Sequence, residues 1–308
     1  MSEFAIQANN VVKKFGDFTA IEGINLNVPK GSIYGFLGPN GCGKSTTIRV
    51  LTGLLSPTSG EVDVLGLKIP KQSELLRLKI GYMTQKFSLY DDLTVEENLQ
   101  FIGQIFGMPN NELRNRINQQ LSTYGLDQRR KQRVGSMSGG QKQRLSLAAA
   151  TMHKPELLFL DEPTSAVDPE NRREFWEQLF DLSDQGTTIL VTTHYMDEAE
   201  RCHRLAIMES GLIRADGEPE RLMAEMGVNI VEVKAPSLRA LKEKLISRPE
   251  VRSAAQLGIR LRVLIHNHVN DPMQWLRQQF PELANSEMNI ARPSLEDVFV
   301  TVTGEGRQ

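Results

Sequence analysis

Residues Gly38–Ser45 read GPNGCGKS, the pattern G-x-x-x-x-G-K-S of a loop that wraps around a phosphate group. Glycines are needed in such a loop because a residue without a Cβ lets the backbone approach the phosphate and present its N–H groups. Ser32–Leu37, just before the loop, is almost continuously apolar like a buried strand, and Thr46–Leu54 after it has helix character. This order of strand, glycine loop and helix predicts an α/β fold that binds a nucleoside triphosphate.

Two polar residues of this loop have expected tasks. Lys44 is placed to neutralise charge on the outer phosphates, and Ser45 offers a hydroxyl to Mg²⁺. The start of the following helix adds the positive end of its dipole. The predicted nucleotide contacts of the loop are Gly38, Pro39, Asn40, Gly41, Cys42, Gly43, Lys44, Ser45 and Thr46.

A second phosphate-binding segment is predicted far downstream, where Ser138–Gln141 reads SGGQ. We call the loop Gly38–Ser45 and this segment the two phosphate grips. Ser138 and Gln141 form a capping box, so a helix is expected to begin there with unblocked N–H groups that face an anion. The predicted contacts of this second grip are Ser138, Gly139, Gly140 and Gln141. The long stretch of chain between the two grips suggests an enzyme whose site closes only when two copies meet.

Two acids follow the apolar run Leu157–Leu160, which is typical of a buried strand. Side chains alternate along a strand, so Asp161 and Glu162 are expected to point in opposite directions and to have different tasks. We expect Asp161 to bind the metal and Glu162 to polarise the attacking water, because phosphoryl transfer to water needs a positioned base or orienting group. The alternative is a strand that ends in a solvated acidic turn.

His194 follows another apolar run, Ile189–Thr193, and is expected at the same edge of the sheet. There it can donate a hydrogen bond to a γ-phosphate and help to orient water; the alternative is a structural histidine. His266 and His268 share one face of a predicted strand, but no third ligand is evident beside them. No metal site is therefore predicted at this pair.

The pattern along the chain predicts two domains, residues 1–227 and 228–308, with Gly227 at the boundary. Alternation of apolar and polar residues in the first thirty positions indicates antiparallel strands. A capping box at Thr94–Glu97 indicates a helical subdomain over about residues 86–150. The second domain shows the order β-α-β-β-α-β of a small ferredoxin-like α+β module.

Composition excludes several classes of protein. With 40% hydrophobic and 24% charged residues among 308, the chain is globular and long enough for one large and one small domain. The net charge of −2 lacks the basic excess of a nucleic-acid-binding protein, so no nucleic-acid partner is expected. Two cysteines cannot build a disulfide framework, and Met1–Glu3 lacks the basic start of a secretory signal, which together predict the cytoplasm. No apolar run approaches the length of a membrane span, so work at a membrane would require another chain.

With these motifs in order over residues 1–227, the chain resembles the nucleotide-binding subunit of ATP-binding cassette (ABC) transporters. The signature LSGGQ of that family is matched by Met137–Gln141, with Met in place of Leu. The resemblance implies the fold of a P-loop NTPase cassette, with a mixed sheet core, an antiparallel β subdomain and a helical subdomain. It also implies ATP and Mg²⁺ as ligands, and a dimer with a second copy or a homologous cassette. In such a dimer the signature binds the γ-phosphate held by the opposite P-loop.

The same resemblance assigns roles to residues that carry little signal alone. Phe15 is expected to stack on adenine; the less favoured alternative is an aromatic side chain packed at a strand end. Gln85 is expected to contact both the metal and the attacking water. Ser165–Asp168 corresponds to the loop that links the two composite sites, and Asp168 is its predicted nucleotide-site residue.

Two further segments, Gln85–Asp91 and Leu93–Leu99, resemble cassettes of bacterial drug-export systems. There the groove beside the glutamine receives a short coupling helix from an integral membrane permease. This implies a peripheral subunit on the cytoplasmic face of the inner (plasma) membrane. Phe87, Leu89 and Tyr90 are the expected anchors of the helix, because such groups dominate interface energetics. The alternative is that they belong to the core of the helical subdomain.

Three classes of function compete. The first is the energising subunit of an exporter of drugs or other hydrophobic compounds, and Arg292–Phe299 is similar to the tail of that group, with a role in dimer contact or regulation. The second is a soluble cassette of translation or DNA repair, but the second cassette, coiled coil or zinc insertion usual in those proteins is not evident. The third is a scaffold without turnover, against which Glu162 and His194 argue.

Cys42 stands where the family usually has alanine. A thiol at a helix N-terminus can have a lowered pKa, which motivates the hypothesis that Cys42 is reactive when no nucleotide is bound. The favoured alternative is a small residue tolerated beneath the phosphates.

Overall fold

The computed structural model describes residues 3–165 and 167–303. Ala166, in the predicted linking loop, lies outside the described residues. Contacts divide the chain into two compact units, Met1–Ile213 and Arg214–Gln308. The predicted division after Gly227 lies further along the chain, and the extents of the two domains stay a prediction.

Strands alternate with helices over most of the described chain. The strands are β1 (Phe4–Phe15), β2 (Phe18–Pro29), β3 (Ile33–Leu37), β4 (Ser59–Val64), β5 (Leu67–Ile69), β6 (Ile80–Met83), β7 (Leu157–Asp161), β8 (Thr188–Thr193), β9 (Arg204–Glu209), β10 (Leu212–Gly217), β11 (Val228–Lys234), β12 (Val251–Leu257), β13 (Arg260–His266) and β14 (Glu287–Ile290). The helices are α1 (Lys44–Leu51), α2 (Ser73–Arg77), α3 (Val95–Ile105), α4 (Asn110–Thr123), α5 (Gly139–Ala150), α6 (Pro169–Asp184), α7 (Met196–Ala199), α8 (Pro219–Ala224), α9 (Leu238–Ile246), α10 (Pro272–Gln279) and α11 (Leu295–Thr303).

The first sheet is antiparallel and has the order β2-β1-β4-β5. Its inner face buries Ile6, Ile21, Ile24, Leu26 and Val62 in one apolar cluster. The antiparallel strands predicted in the first thirty residues are therefore present. The strands β4, β5 and β6 were not predicted from the sequence.

The second sheet has the order β10-β9-β3-β8-β7-β6, and the pairs from β9 through β6 are parallel. Every residue of β3, β7 and β8 is buried, as expected for parallel strands that are covered on both faces. Because these strands run in the same direction, the loop at Gly38, the acids at Asp161 and Glu162, and His194 all follow the carboxyl edge of one sheet.

A helical subdomain lies between β6 and β7 in the sequence and contains α3, α4 and α5. Its buried residues include Leu99, Leu113, Ile117, Leu121 and Leu145, which share one apolar cluster. The predicted capping box at the start of α3 is present, since the side chain of Thr94 accepts from the backbone of Glu97 and the reverse bond is also made. The predicted fold class, an α/β cassette with an antiparallel β subdomain and a helical subdomain, is confirmed.

The second unit has the predicted element order from β11 to β14, and its antiparallel sheet has the order β12-β13-β11-β14. α11 is attached to this sheet through Arg262, which donates to both carboxylate oxygens of Asp297 at 2.8 and 2.7 Å. Burial by itself would raise the pKa of Asp297, but the hydrogen bonds from Arg262 and Ser294 hold it below its usual range. In Arg292–Phe299, the segment that resembles exporter tails, Asp297 therefore forms an ion pair with Arg262 that holds α11 against the sheet.

Candidate functional site

The phosphate-binding loop connects β3 to α1 and needs glycine at defined points. Gly41 and Gly43 have φ angles of 81° and 112°, which L residues with a side chain rarely adopt. A Cβ on Gly38 would lie 2.4 Å from the carbonyl oxygen of Met208, and one on Gly43 would lie 2.7 Å from that of Ala20. The glycine pattern is therefore required by the backbone itself.

A cavity of about 220 Å³ lies over this loop. Its lining residues come from the loop, the first hairpin and two later segments: Phe18, Ala20, Asn40, Gly41, Gly43, Lys44, Ser45, Thr46, Gln85 and Glu162. A Cβ on Gly41 would meet nothing within 4 Å, so the loop backbone faces open space there. The structure thus brings the loop together with Gln85 and Glu162, two of the predicted catalytic residues.

Lys44 is buried, and its ammonium group lies beside the cavity. Its Nζ donates to the carbonyl oxygens of Gly38 at 2.8 Å and Pro39 at 3.1 Å. The same Nζ lies 3.3 Å from Oε1 of Glu162, whose side chain is 7% exposed. A buried charge needs a partner, and this pair supplies one for both residues.

Asp161 and Glu162 contact different partners. Oδ1 of Asp161 accepts from the hydroxyls of Ser45 at 3.0 Å and Thr192 at 2.8 Å. β7 ends at Asp161, and Glu162 has a φ of 47°, in the left-handed region. Its backbone N–H donates to Oγ1 of Thr192 at 2.9 Å. The strand does not continue through Glu162, so the prediction that strand alternation separates the two side chains is wrong. The backbone turns at Glu162 instead.

Three predicted residues surround the carboxylate of Glu162. Nε2 of Gln85 donates to Oε2 at 3.1 Å. Nδ1 of His194 lies 3.4 Å from the same oxygen, outside hydrogen-bond geometry, and has no hydrogen-bond partner among the described residues. Lys44 lies beside the other oxygen, so the carboxylate is contacted by three polar side chains, two of which, Lys44 and Gln85, line the cavity.

The second phosphate grip begins α5. The hydroxyl of Ser138 accepts from the backbone N–H of Gln141 at 3.4 Å, and Oε1 of Gln141 accepts from the N–H of Ser138 at 3.1 Å. The predicted capping box is therefore present. Ser138 and Gly139 are exposed, and within the described residues the cavity at Lys44 has no lining from this segment. One chain therefore does not bring its two grips together.

Asp168 is the N-cap of α6, and its carboxylate accepts from the backbone N–H of Asn171 at 3.1 Å and from its Nδ2 at 2.7 Å. These hydrogen bonds hold the pKa of Asp168 below its usual range. Oδ1 of Asn171 in turn accepts from Arg144 on α5 at 2.7 Å, and a Cβ on Gly140 would lie 2.8 Å from Cγ of Asn171. Asn171 thus joins the start of α5 to Asp168. Sequence reasoning missed it, although Asp168-Pro169 is a recognisable helix start.

Phe15 ends β1, where its ring is about half exposed with Nζ of Lys13 at 5.1 Å from the ring centroid. Phe18, its partner in the hairpin, lines the cavity over the loop and is 64% exposed. The hairpin therefore has two accessible aromatic rings, of which Phe18 lines the cavity and Phe15 is not among its described lining residues. Sequence reasoning named only the first.

A second cavity, of about 300 Å³, lies between the sheet and the helical subdomain. Its lining is mostly apolar and includes Leu54, Leu89, Ile102 and Phe106, together with two cations, Arg77 and Lys86. We name this cavity the lateral groove.

Only one of the three predicted anchors lines the lateral groove. Leu89 does, whereas Phe87 packs half-buried against the helical core with Nζ of Lys142 at 4.9 Å from its ring centroid. Tyr90 is exposed and meets Phe101 edge to face. The alternative of a core role therefore fits Phe87, and Leu89 packs against the same core while it also lines the groove.

His153 forms part of the lateral groove and stacks on Phe106 with ring centroids 3.6 Å apart. Burial lowers the pKa of His153 to about 4, so its ring is neutral at physiological pH. The groove therefore presents an uncharged aromatic surface beside its two cations.

The hypothesis of a lowered pKa at Cys42 is wrong. The side chain is 4% exposed, and burial raises the pKa of the thiol against the opposing effects of Lys44 and of backbone hydrogen bonds. Loss of hydration therefore outweighs the positive end of the helix at this position. Cys42 is a small buried residue under the loop.

Alkylation of Cys42 is accordingly expected to be slow in the folded protein. With N-ethylmaleimide at pH 7.5, we expect a rate at least about tenfold below that of the same thiol in urea, because a raised pKa leaves little thiolate. The rate in the folded protein should rise only at a pH above the ordinary thiol pKa, because burial raises the pKa of this thiol. Peptide mass spectrometry separates Cys42 from Cys202, which is also buried. Equal rates in the folded and unfolded chains would contradict the assignment.

Comparisons with known proteins agree with this geometry. A family model described as "ABC transporter" matches residues 21–165. The probable multidrug ABC transporter ATP-binding protein YbhF of Escherichia coli K12 is 46% identical over 223 residues, 72% of this chain. The chain spans only 39% of the length of that relative. Nod factor export ATP-binding protein I of Paraburkholderia xenovorans is 36% identical over 313 residues, with all of both chains covered.

Solved structures give the same result for the fold. CbiO1 of Clostridium perfringens, part of the ABC transporter complex cbiONQ, superposes with a TM-score of 0.68 at 28% identity over 73% of this chain and 92% of its own. The dimeric post-hydrolysis state of the ATP-binding cassette MJ0796, bound to ADP and Pi, superposes with a TM-score of 0.63 at 29% identity over 69% of this chain and 98% of its own.

The chain therefore belongs to the ABC transporter family, as one of its ATP-binding proteins. Cassettes of this family are ATPases coupled to transport. No described helix of this chain is both long and apolar enough to cross a bilayer.

Proposed function

We propose that this chain is the ATP-hydrolysing subunit of an exporter. The observation that carries the proposal is the convergence of Lys44, Gln85 and His194 on the buried carboxylate of Glu162, at the edge of a phosphate-binding cavity. Hydrolysis requires a proton acceptor beside the terminal phosphate, and this arrangement supports that role for Glu162. The full-length similarity to a protein named for export supports the transport part of the proposal.

In this proposal the loop from Gly38 to Thr46 binds the phosphates of ATP. Its backbone N–H groups and the start of α1 face the anion, and Lys44 turns from the carbonyl oxygens of Gly38 and Pro39 to the outer phosphates. The base stacks on Phe15, while Phe18 shields the phosphate cavity.

The residues present also fit Mg²⁺. The hydroxyl of Ser45 donates to the carboxylate of Asp161 at 3.0 Å. Gln85 donates to Glu162 through Nε2, so the side-chain carbonyl oxygen of Gln85 is available to a metal ion. Oxygen donors of this kind suit a small hard cation. Ser45, Asp161 and Gln85 would hold Mg²⁺, which would offset negative charge on the outer phosphates.

Glu162 is the residue we propose to accept the proton of the attacking water. His194 donates to the γ-phosphate and, with Gln85, keeps the water in line, because both side chains reach the same carboxylate oxygen. Each site is completed by the second grip of a partner cassette, where Ser138, Gly139, Gly140 and Gln141 meet the γ-phosphate and Asp168 links the two sites. The exposure of Ser138 and Gly139 at the start of α5 supports this arrangement.

We further propose that the lateral groove receives a short helix of an integral membrane permease, so that the chain works peripherally at the cytoplasmic face of the inner membrane. The apolar lining fits an inserted aliphatic or aromatic side chain, and Arg77 and Lys86 fit an acidic group beside it. The cargo we propose is a drug or another hydrophobic compound, which rests on the names of the relatives.

Replacement of Leu89 by arginine is expected to release the chain from its membrane partner, because a charge in the apolar groove loses its hydration on docking. The chain is purified from its native membrane in mild detergent, and a multi-spanning protein is expected with the wild type at ten or more times the level seen with Leu89→Arg. ATP binding should be unchanged.

Leu75→Arg provides the matched control, because Leu75 is exposed on α2 outside the lateral groove. Copurification of ribosomes or DNA-repair factors in place of a membrane protein would contradict the exporter and favour a soluble cassette. Equal recovery of the membrane protein with both variants would contradict docking in the groove.

A further inference from the structure

Glu198 on α7 is a charged residue buried behind the cavity, and the proposed reaction makes no direct use of it. Its side chain is 1% exposed. A buried carboxylate is costly unless it is hydrogen-bonded and paired, so its partners show what it holds in place.

Those partners come from three different segments. The hydroxyl of Thr164 donates to one carboxylate oxygen, and that of Thr193 donates to the other at 2.6 Å. Nε of Arg172 lies 3.4 Å from the first oxygen, at ion-pair distance. One carboxylate therefore connects the turn after Glu162, the end of β8 next to His194, and the first turns of α6.

Arg172 extends this connection in two directions. Its Nη2 donates to the carbonyl oxygen of Val167 at 3.4 Å, in the loop that leads to Asp168. Its guanidinium carbon lies 4.2 Å from the ring centroid of Tyr195, which is a cation–π contact. The ring of Tyr195 is in turn 4.1 Å from that of His194, tilted by 37°.

We infer that Glu198, Arg172 and Tyr195 are positioning residues. They set the orientation of His194 and hold it in a fixed position relative to the loop before Asp168. The contacts run in sequence from the carboxylate of Glu198 to Arg172, to the ring of Tyr195 and to the ring of His194. The inference rests on the proposed ATPase function, in which His194 must point at the γ-phosphate. Nδ1 of His194 has no hydrogen-bond partner among the described residues and only lies 3.4 Å from Oε2 of Glu162, so the contact of its ring with Tyr195 contributes to its orientation.

The variants Glu198→Gln and Arg172→Lys test this inference. The first keeps the size of the side chain but removes its charge. The second keeps the charge but loses the planar group that stacks on Tyr195. We expect each to lower kcat for ATP hydrolysis about tenfold, because small misplacements of a catalytic group are costly. KM for ATP should stay within about twofold, because none of these residues lines the cavity over the loop.

Asp197→Asn is the matched control. Asp197 precedes Glu198, is 66% exposed and lies 4.0 Å from Nη1 of Arg172, so this variant removes a neighbouring carboxylate without touching the buried contacts. Its kcat should equal that of the wild type.

A spectroscopic readout separates positioning from general stability. The chain has 5 histidines, so the ring resonances of ¹³C-labelled histidine can be assigned, with His194→Ala identifying that residue. We expect the His194 resonance to shift in Glu198→Gln and in Arg172→Lys and to stay in place in Asp197→Asn.

Several results would overturn the inference. It fails if both variants keep kcat within about twofold of the wild type, or if the His194 resonance stays in place in both. If Glu198→Gln does not fold, Arg172→Lys decides alone, because Arg172 is only partly buried. If the wild type does not hydrolyse ATP, the proposed function fails separately, and the His194 resonance still decides the inference because it needs no turnover.

Discussion

Replacement of Glu162 by glutamine is expected to lower kcat for ATP hydrolysis by about 10²–10⁴-fold, the usual contribution of a general base. The amide keeps the shape of the side chain and its place beside Gln85 but cannot accept the proton of water. ATP binding should be retained, because Lys44 and the loop are unchanged and Lys44 loses a competing carboxylate. Phosphate release measures turnover, and a fluorescent ATP analogue measures binding.

The same variant is expected to accumulate a closed dimer in the presence of ATP. The γ-phosphate then persists, and it is the group that we propose both grips bind. Size-exclusion chromatography with light scattering should show a dimer with ATP and a monomer without it. Glu156→Gln serves as control, because Glu156 lies just before the same strand, is exposed and pairs with Lys79. Hydrolysis by Glu162→Gln near the wild-type rate would refute its role.

Two inactive variants are expected to restore activity when mixed. Lys44→Ala removes the cation of the loop, and Ser138→Arg blocks the start of α5 with a bulky side chain. Each homodimer then has two defective sites. A mixed dimer pairs the intact loop of one chain with the intact Ser138 of the other, and so regains one site. If exchange is random, about a quarter of wild-type activity should return, as follows from two-fold symmetry.

The mixing experiment has clear controls. Each variant alone should fall below about 1% of wild-type activity, and two samples of the same variant should not complement each other. If Ser138→Arg alone stays active, the second grip is not part of the site. If the mixture stays inactive while ATP-bound mixed dimers are present, the composite site is wrong.

The sequence was most informative where function depends on contiguous residues. The loop around Lys44 and the capping box of Ser138 each occur within a few positions, so their local geometry follows from short-range rules. Glu162 and His194 were also predicted to lie at the same edge of the sheet, and in the structure their side chains are 3.4 Å apart.

The roles that could not be predicted from the sequence depend on contacts between residues that are distant in the chain. Asn171 matters because it meets Arg144 on another helix, and Glu198 because Thr164 and Thr193 converge on it. Neither residue belongs to a phosphate-binding pattern. The error at Cys42 has the same origin, because the degree of burial decides its pKa, and burial is a property of the whole fold.

The contact of Asn171 with both Gly140 and Asp168 bears on how such cassettes can be recombined. A chimera that exchanges only the helical subdomain, with a junction near residue 150, would separate the start of α5 from the asparagine that packs on it. A transplantable module must therefore extend at least to Asn171, with Arg144 and Asp168 taken from the same parent. These four positions are therefore expected to be exchangeable only together, although the buried strand β7 lies between them in the sequence.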